Sequence, residues 1–123
     1  LLAALGGLGI PLGVLSNKPH AFTVQCTDAY FGDLGTIFQV VYGQREGVPK
    51  KPDPSGALEI ATELGVPPGE CVYVGDSDVD MRTATAAGML AIGVAWGFRP
   101  VGELHEAGAL AVIDSPADLL AVF

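Results

Sequence analysis

A short strand followed at once by acidic residues, at positions 72–80, constrains this chain more than any other part of the sequence. Its first three residues are β-branched or aromatic and apolar, which predicts a buried strand. Gly75 ends the apolar run, and Asp76 stands at the carboxyl end of the strand. A helix is predicted to follow, and its first turn contains Asp80, a second carboxylate.

The spacing of these two carboxylates suggests a chemical role. Because Asp76 and Asp80 lie four positions apart, the helix turns Asp80 back toward the tip of the strand. Ser77 or Asp78 can cap that helix. An α/β protein can bind a hard cation with a carboxylate at the end of a strand and a second carboxylate on the helix that follows a tight turn. The alternative interpretation is a solvated acidic loop with a helix cap.

The composition indicates a single domain. A chain of 123 residues, half of them hydrophobic and only 16% charged, suits a parallel sheet covered by helices. The net charge of -8 argues against a nucleic-acid partner and against anionic membrane surfaces. A small phosphorylated substrate would therefore have to be bound by local donors and a cation.

Apolar runs and helical patterns alternate along the whole chain, without signals of β-hairpins. This order predicts an α/β fold, a Rossmann-like parallel sheet with flanking helices and right-handed crossovers, as one domain over residues 1–123. In such sheets, ligands bind at the carboxyl ends of the strands. The predicted strands are 12–15, 36–42, 71–75, 91–95 and 110–113, and the predicted helices are 19–31, 54–64 closed by Gly65, 78–87 closed by Gly88, 101–107 and one from Pro116 capped by Ser115.

The cysteines and the start of the chain bear on its location. Cys26 and Cys71 show no CxxC spacing, which favours reduced thiols in a cytoplasmic protein. No apolar run is long enough to cross a membrane. The chain lacks an initiator Met and opens inside a helical pattern, with residues 1–9 resembling the end of a helix, so we expect it to be a fragment of a longer protein.

Ser16 and Asn17 follow the first predicted strand and precede a helix. The Ser16 hydroxyl and the Asn17 backbone N–H would then point at a small anion, aided by the helix N-terminus. A plain Ser/Asn cap is the alternative, and this motif alone does not separate the two. We interpret the neighbouring Lys18 and His20 as solvated loop residues.

A pair of lysines stands before the helix that Pro54 opens. The flanking prolines stiffen the backbone and limit where the Lys51 side chain can reach. An ammonium held there can neutralise both a carboxylate and a phosphoryl oxygen. We interpret Lys50 as an exposed residue.

Taken in order, these segments resemble motifs two, three and four of the haloacid dehalogenase-like superfamily of phosphohydrolases. The matching elements are strand-Ser16-Asn17, Lys51-Pro-x-Pro before a helix, and strand-Gly-Asp76-Ser-x-x-Asp80, so the resemblance covers essentially the whole chain. The segments 16–19 and 96–98 are more similar to the phosphoglycolate phosphatase branch than to the superfamily at large.

The resemblance implies a role for each residue. Ser16 binds the transferring phosphoryl group with help from the Asn17 backbone, and Lys51 steadies the nucleophile and the phosphoryl charge. Asp76 is a Mg²⁺ ligand, and Asp80 supports the metal site indirectly, through water. The implied reaction is hydrolysis of 2-phosphoglycolate to glycolate and phosphate through an aspartyl-phosphate.

One motif of the superfamily is missing from the sequence. The first motif, Asp-x-Asp-x-Thr/Val, supplies the nucleophile and the general acid/base, and no such sequence occurs at the expected place. The helical cap domain is absent too, except for residues 1–9 as the end of a cap-to-core linker. In the resembled fold, the strand of this motif lies between the strands that end at Ser16 and Asp76, so we expect an incomplete core in which these two strands have unpaired facing edges. We expect the chain to be inactive alone and to close the gap by repacking, by pairing with another chain such as a second copy, or by binding the N-terminal segment.

Other functions stay open at this stage. A sugar-phosphate phosphatase or a phosphomutase of the β-phosphoglucomutase type would share these motifs, because the cap decides the substrate. A non-catalytic α/β binding or regulatory domain is the alternative from another class, although the motif order does not fit a receiver module. A serine hydrolase is disfavoured because Ser16 is not in a Gly-x-Ser-x-Gly elbow.

Overall fold

In a computed structural model, this chain folds into parallel strands with helices packed against them. The structure describes residues 5, 8–31, 38–95, 101–115 and 117–119. The predicted α/β class is confirmed, since every strand pair in these residues is parallel and helices separate consecutive strands. The strands are β1 (Gly13–Pro19), β2 (Val40–Gln44), β3 (Val72–Gly75), β4 (Leu90–Val94) and β5 (Ala111–Ile113), and the helices are α1 (His20–Phe31), α2 (Ser55–Leu64), α3 (Asp78–Ala87) and α4 (Val101–Glu106).

The first strand differs most from its prediction. β1 continues through residues 16–19, which were expected to form a turn and a helix start, and α1 begins at His20 instead of Pro19. The register explains the difference, because Pro19 still pairs with Gln44 of β2 after an irregularity in the ladder. Ser16 and Asn17 therefore lie on extended backbone within the strand.

The strands divide into two sheets, with a gap where the strand of the missing first motif was expected. β1 pairs with β2, and β3, β4 and β5 form a second sheet with β4 in the middle. Within the described residues, β1 and β3 are not hydrogen-bonded to each other, so each has one edge without a partner strand. These are the two edges that the sequence predicted to be unpaired, because no described strand fills the space between them.

Helices α2 and α3 end at the two glycines that were predicted to close them. Gly65 and Gly88 adopt left-handed conformations, with φ of 70° and 75°, and each N–H bonds back to carbonyls of the last turn. A residue without Cβ adopts this conformation at little cost, which ends the helix. Ser77 caps the start of α3 by accepting a hydrogen bond from the Asp80 N–H.

The second sheet has apolar residues packed on both faces. Ile92 and Val94 of β4 belong to one buried cluster, and Ala91 belongs to another on the opposite face with Met81 and Leu104. Alternate residues of a strand point to opposite faces, so β4 is covered on both sides, as expected of a central parallel strand.

A groove of about 400 Å³ separates the two sheets. Residues of β1 and β3 form its walls, and the buried side of α2 lines it as well. The lining is mostly apolar and includes Leu12, Leu15, Ile60, Val72, Tyr73 and Val74. We call this space the inter-sheet groove.

Several predictions fall on residues that the structure does not describe. The Trp96-Gly97-Phe98 turn, the helix start at Pro116, most of the linker helix at residues 1–9 and the beginning of the second predicted strand all lie outside the described residues. Among the residues that are described, no helix is long and apolar enough to cross a membrane.

Candidate active site

The carboxylate of Asp80 lies at the centre of a polar cluster at the carboxyl end of β3. Its Oδ1 accepts hydrogen bonds from Lys51 Nζ at 2.7 Å and from the Tyr73 hydroxyl at 3.4 Å. Its Oδ2 accepts from the Asp76 N–H at 3.2 Å and from Ser77 Oγ at 3.1 Å. Both oxygens are thus occupied, and the side chain is buried. Asp80 organises the turn between β3 and α3 and holds Lys51.

Gly75 is needed for this arrangement. A Cβ added at Gly75 would lie 2.6 Å from Oδ2 of Asp80, closer than real Cβ atoms approach. The Asp80 carboxyl therefore occupies the space in which any other residue would place its side chain. Two causes therefore explain the Gly-Asp-Ser-x-x-Asp spacing. The helix turns Asp80 back toward the strand, and only glycine at position 75 leaves room for its carboxyl.

Lys51 and Asp80 form an ion pair that is largely shielded from water. Their side chains are 13% and 12% exposed. Burial opposes ionisation of Asp80, but the hydrogen bond and charge of Lys51, followed by Ser77 and the Asp76 N–H, outweigh it and lower the pKa of Asp80. Such a pair is costly to break, because one partner would be left buried and uncompensated.

Tyr73 is a member of the cluster that sequence reasoning missed. Burial and the adjacent Asp80 carboxylate raise the pKa of its phenol above its ordinary value, so the hydroxyl stays protonated and can donate to Asp80. Strand alternation could have found it, because Tyr73 and Gly75 share a face of β3 and Asp80 packs against Gly75.

The side chain of Asn17 bonds to the backbone of Lys51. The Lys51 N–H donates to Asn17 Oδ1 at 2.9 Å, and Asn17 Nδ2 donates to the Lys51 carbonyl at 3.3 Å. These two reciprocal bonds fix the Lys51 backbone to the end of β1. Sequence reasoning assigned only the backbone of Asn17 to the site and did not foresee this use of its amide.

Ser16 lies beside these residues. Its Oγ accepts a hydrogen bond from the Lys18 N–H at 3.1 Å, and because Lys18 lies in β1 this bond is not a helix cap. Ser16, Asn17 and Lys51 nevertheless line one small cavity of about 10 Å³. A hydroxyl that accepts one bond still has its own proton to donate.

A second set of contacts joins the loop that carries Lys51 to helix α2. The Arg45 guanidinium lies over the Tyr42 ring, 3.6 Å from its centroid, and makes two hydrogen bonds to the Glu59 carboxylate of α2. The bond from Arg45 lowers the pKa of Glu59, and Tyr42 also donates to Glu63. Nothing local in the sequence pairs residues 14 positions apart, so this contact was not predicted.

Three residues near the site have other partners or none. Lys50 is exposed, and in the part of the chain that the structure describes its side chain makes no polar contact. His20 is half-buried and accepts a hydrogen bond from the Gly43 N–H through Nδ1, so it helps to join α1 to β2. Lys18 lies over the Phe22 ring at 5.4 Å.

Asp76 differs from Asp80 in being exposed and unpaired. Within the described residues its carboxylate makes no hydrogen bond or ion pair, and no group of three or more possible metal ligands is found there. Mg²⁺ keeps several waters and needs only one or two carboxylates together with substrate phosphate. A free carboxylate at the end of a strand therefore fits Mg²⁺, as one part of a ligand set.

Comparisons with known proteins agree with the motifs. Residues 1–88 match the sequence profile of the haloacid dehalogenase-like hydrolase family. The phosphoglycolate phosphatase of Escherichia coli (strain K12) is 37% identical over 97 residues, which are 79% of this chain and 38% of that protein.

Solved structures share the fold over nearly the whole chain. One from Lactobacillus delbrueckii subsp. bulgaricus, with a provisional phosphoglycolate phosphatase assignment, has a TM-score of 0.90 at 35% identity and matches 98% of this chain and 49% of its own. One from Thermotoga maritima, with a provisional β-phosphoglucomutase assignment, has a TM-score of 0.84 at 27% identity, over 98% and 55%. The chain thus spans about half the length of these proteins, or less, and it belongs to the haloacid dehalogenase-like hydrolase family.

Proposed function

We propose that this chain forms the phosphate- and cation-binding part of a Mg²⁺-dependent phosphomonoester hydrolase that acts on 2-phosphoglycolate. The observation that carries the proposal is the position of Lys51. Its ammonium is held by Asp80 and its backbone by Asn17, and it shares a cavity with Ser16. Membership of the hydrolase family and the similarity to the phosphoglycolate phosphatase of Escherichia coli support this choice.

Each side chain has a distinct task in this proposal. Lys51 has three N–H donors and uses one on Asp80, so others can stabilise the charge of a phosphoryl group. The Ser16 hydroxyl donates to a second phosphoryl oxygen. Asp76 would hold Mg²⁺, which when bound neutralises phosphate charge and orients the ester.

The nucleophile is assigned to an aspartate outside the described cluster. Its carboxylate oxygen would form a bond to phosphorus while the bond from phosphorus to the ester oxygen breaks. The general acid of the superfamily's first motif would give the leaving oxygen a proton, and water would then cleave the aspartyl-phosphate to release phosphate. Asp80 is unsuited to this task because both its oxygens are already hydrogen-bonded. The ion pair with Lys51 also stabilises its charged form, which reduces its nucleophilicity.

The inter-sheet groove is where we place the segment that carries this nucleophile. Asn17 at the end of β1 contacts Lys51, and Lys51 contacts Asp80 just after β3, so the carboxyl ends of both strands meet at Lys51. An extended apolar segment bound between the two free strand edges would satisfy their backbone groups and end beside the Lys51 ammonium. An N-terminal segment of the same protein is the proposed occupant, and a second copy of the chain is the competing one.

The charge and the cysteines of the chain support the substrate class and the location that we propose. With a net charge of -8, the chain offers no general attraction for phosphate, which favours a small phosphorylated metabolite bound by these few donors. We propose the cytoplasm as its location, since both cysteines are free thiols in the structure.

A matched pair of lysine variants tests the proposal in the full-length protein. Lys51→Ala should lower kcat/KM for phosphoglycolate by roughly 10²-fold or more, because a charge contact in a shielded site is lost. Lys50→Ala removes an ammonium from the neighbouring position, where the lysine side chain is exposed. This variant should leave turnover nearly unchanged. If the two variants lowered kcat/KM equally, the assignment of Lys51 to the active site would be contradicted.

A phosphomutase is the second candidate, favoured by the structural similarity to the Thermotoga maritima protein. Incubation with a sugar 1-phosphate and its bisphosphate would distinguish the two reactions. Formation of the 6-phosphate isomer without release of inorganic phosphate would favour the mutase, and release of phosphate would favour the hydrolase. If neither occurs with Mg²⁺ present, the non-catalytic binding domain becomes the better interpretation.

A further inference from the structure

The side-chain amide of Asn17 makes its contacts in the candidate site with the protein backbone. Both its oxygen and its nitrogen bond to the main chain of Lys51, 34 positions away in the sequence. The pairing commits the amide oxygen and one of the two amide N–H donors to the backbone of Lys51. The nearby Ser16 and Lys51 retain donors for a phosphate group.

The contact is well placed to control the reach of the Lys51 side chain. The ion pair with Asp80 fixes the Lys51 side chain at its far end, at the ammonium. Its loop is fastened to α2 by Arg45 and Glu59, but that contact lies six positions before Lys51. The amide of Asn17 is the contact that fixes the backbone of Lys51 itself, so a flexible four-carbon side chain starts from a defined point.

We propose that Asn17 is a positioning residue, which acts on the reaction through the backbone of Lys51 and not by binding phosphate with its side chain. This inference rests on the proposed function, because it assigns Lys51 to the phosphoryl group. Displacement of a charged group by about 1 Å can cost roughly 10²-fold in rate. Loss of the two bonds from Asn17 should therefore cost about 10- to 100-fold in kcat.

A double-mutant cycle in the full-length protein tests the route of action. In the parent, Asn17→Ala should lower kcat by about 10- to 100-fold. In a Lys51→Ala background it should have little further effect, because the ammonium that Asn17 positions is already absent. An aryl phosphate at high enzyme concentration keeps the residual activity measurable. Losses that multiply would overturn the inference and assign Asn17 an independent role.

Hydrogen exchange of the Lys51 amide provides a readout without activity. In the parent this N–H donates to Asn17 Oδ1, so Asn17→Ala should make it exchange several-fold faster, whereas Asn17→Asp keeps an acceptor and should retain part of the protection. An unchanged exchange rate in Asn17→Ala would overturn the contact itself. A parent without phosphatase activity would overturn the proposed function and the catalytic part of this inference, while the exchange rate would still decide whether the contact exists.

Gln39→Ala is the matched control. Gln39 also uses a side-chain amide oxygen to accept a backbone N–H, that of Leu12 at 2.7 Å, but at the opposite end of β1. Its loss should lower stability to a similar extent and leave kcat and Lys51 exchange unchanged. Equal loss of kcat in both variants would indicate a general structural effect and would contradict the specific role of Asn17.

Discussion

The ammonium of Lys51 lies 2.7 Å from Oδ1 of Asp80, although the two residues are 29 positions apart in the sequence. The contact links the loop before α2 to the first turn of α3, and so connects the two sheets at their carboxyl ends. Because both side chains are largely shielded from water, the pair has consequences for stability as well as for chemistry.

The first prediction concerns acid stability. Because the pKa of Asp80 is lowered in the folded state, its contribution to stability is present above the ordinary carboxyl pKa and is lost as pH falls through the folded value. Asp80→Asn should cost about 2–4 kcal/mol near neutral pH, and the difference from the parent should shrink below about pH 4. Thermal unfolding of both proteins across acid pH measures this.

Asp78→Asn on the same helix is the control for that measurement. Asp78 pairs with Arg82 at 3.6 Å on the surface, and such pairs contribute roughly 0.2–1 kcal/mol. If Asp78→Asn and Asp80→Asn changed the unfolding free energy equally at neutral pH, the special position of Asp80 would be contradicted.

The second prediction concerns the cation. Asp76→Asn in the full-length protein should weaken Mg²⁺ binding by at least about tenfold and lower phosphatase turnover with it, since the exposed carboxylate is a free ligand. Calorimetric titration with Mg²⁺ gives the affinity. Asp114→Asn removes another exposed carboxylate just after a strand, β5, and should change neither quantity. Unchanged affinity in Asp76→Asn would remove Asp76 from the metal site.

Local signals in the sequence predicted the fold better than the contacts of the site. Gly65 and Gly88 ended their helices as predicted, because a helix cap depends on a few adjacent residues. The contact between Lys51 and Asp80 depends on how distant segments pack. The sequence predicted only that Lys51 could neutralise a carboxylate, and not that this carboxylate is Asp80. The amide bonds of Asn17 were not foreseen, because a residue type does not reveal whether its backbone or its side chain is used.

The division into two sheets could be predicted, but only through the family resemblance, which places a further strand between β1 and β3. The alternation of strands and helices alone predicts parallel strands and not this gap, because strand order depends on which segments are present to pair. Alternation along β3 does contain a usable signal for Tyr73, since it shares a face with Gly75. The bonds between Arg45 and Glu59 have no such signal.

The third prediction tests the steric origin of the Gly75 position. Gly75→Ala should displace the Asp80 carboxyl, destabilise the protein by about 1–3 kcal/mol and reduce turnover, because the added Cβ would overlap Asp80. Gly69→Ala is the control, since a Cβ there would meet open space. Denaturant unfolding and steady-state kinetics report both effects. Normal activity in Gly75→Ala would mean that the turn adapts and that Asp80 does not require this close packing.

The last prediction concerns the inter-sheet groove. Residues 1–123 purified alone should hydrolyse no phosphoglycolate with Mg²⁺, because Asp80 is committed to Lys51 and the proposed nucleophile belongs in the groove. They should also self-associate through the free edges of β1 and β3. Light scattering measures the size, and coexpression with the N-terminal part of the protein should restore both a discrete size and activity.

Two valine variants separate the groove from general surface stickiness. Val74 lines the groove and Val101 begins α4 elsewhere, and both are 41% exposed. Val74→Lys should reduce self-association of residues 1–123 and prevent rescue by the N-terminal part, since a charge would enter an apolar space. Val101→Lys should do neither. A monomer of residues 1–123 that turned over phosphoglycolate at the rate of the full-length protein would contradict the whole scheme and would make Asp76 or Asp78 the first candidate for the nucleophile.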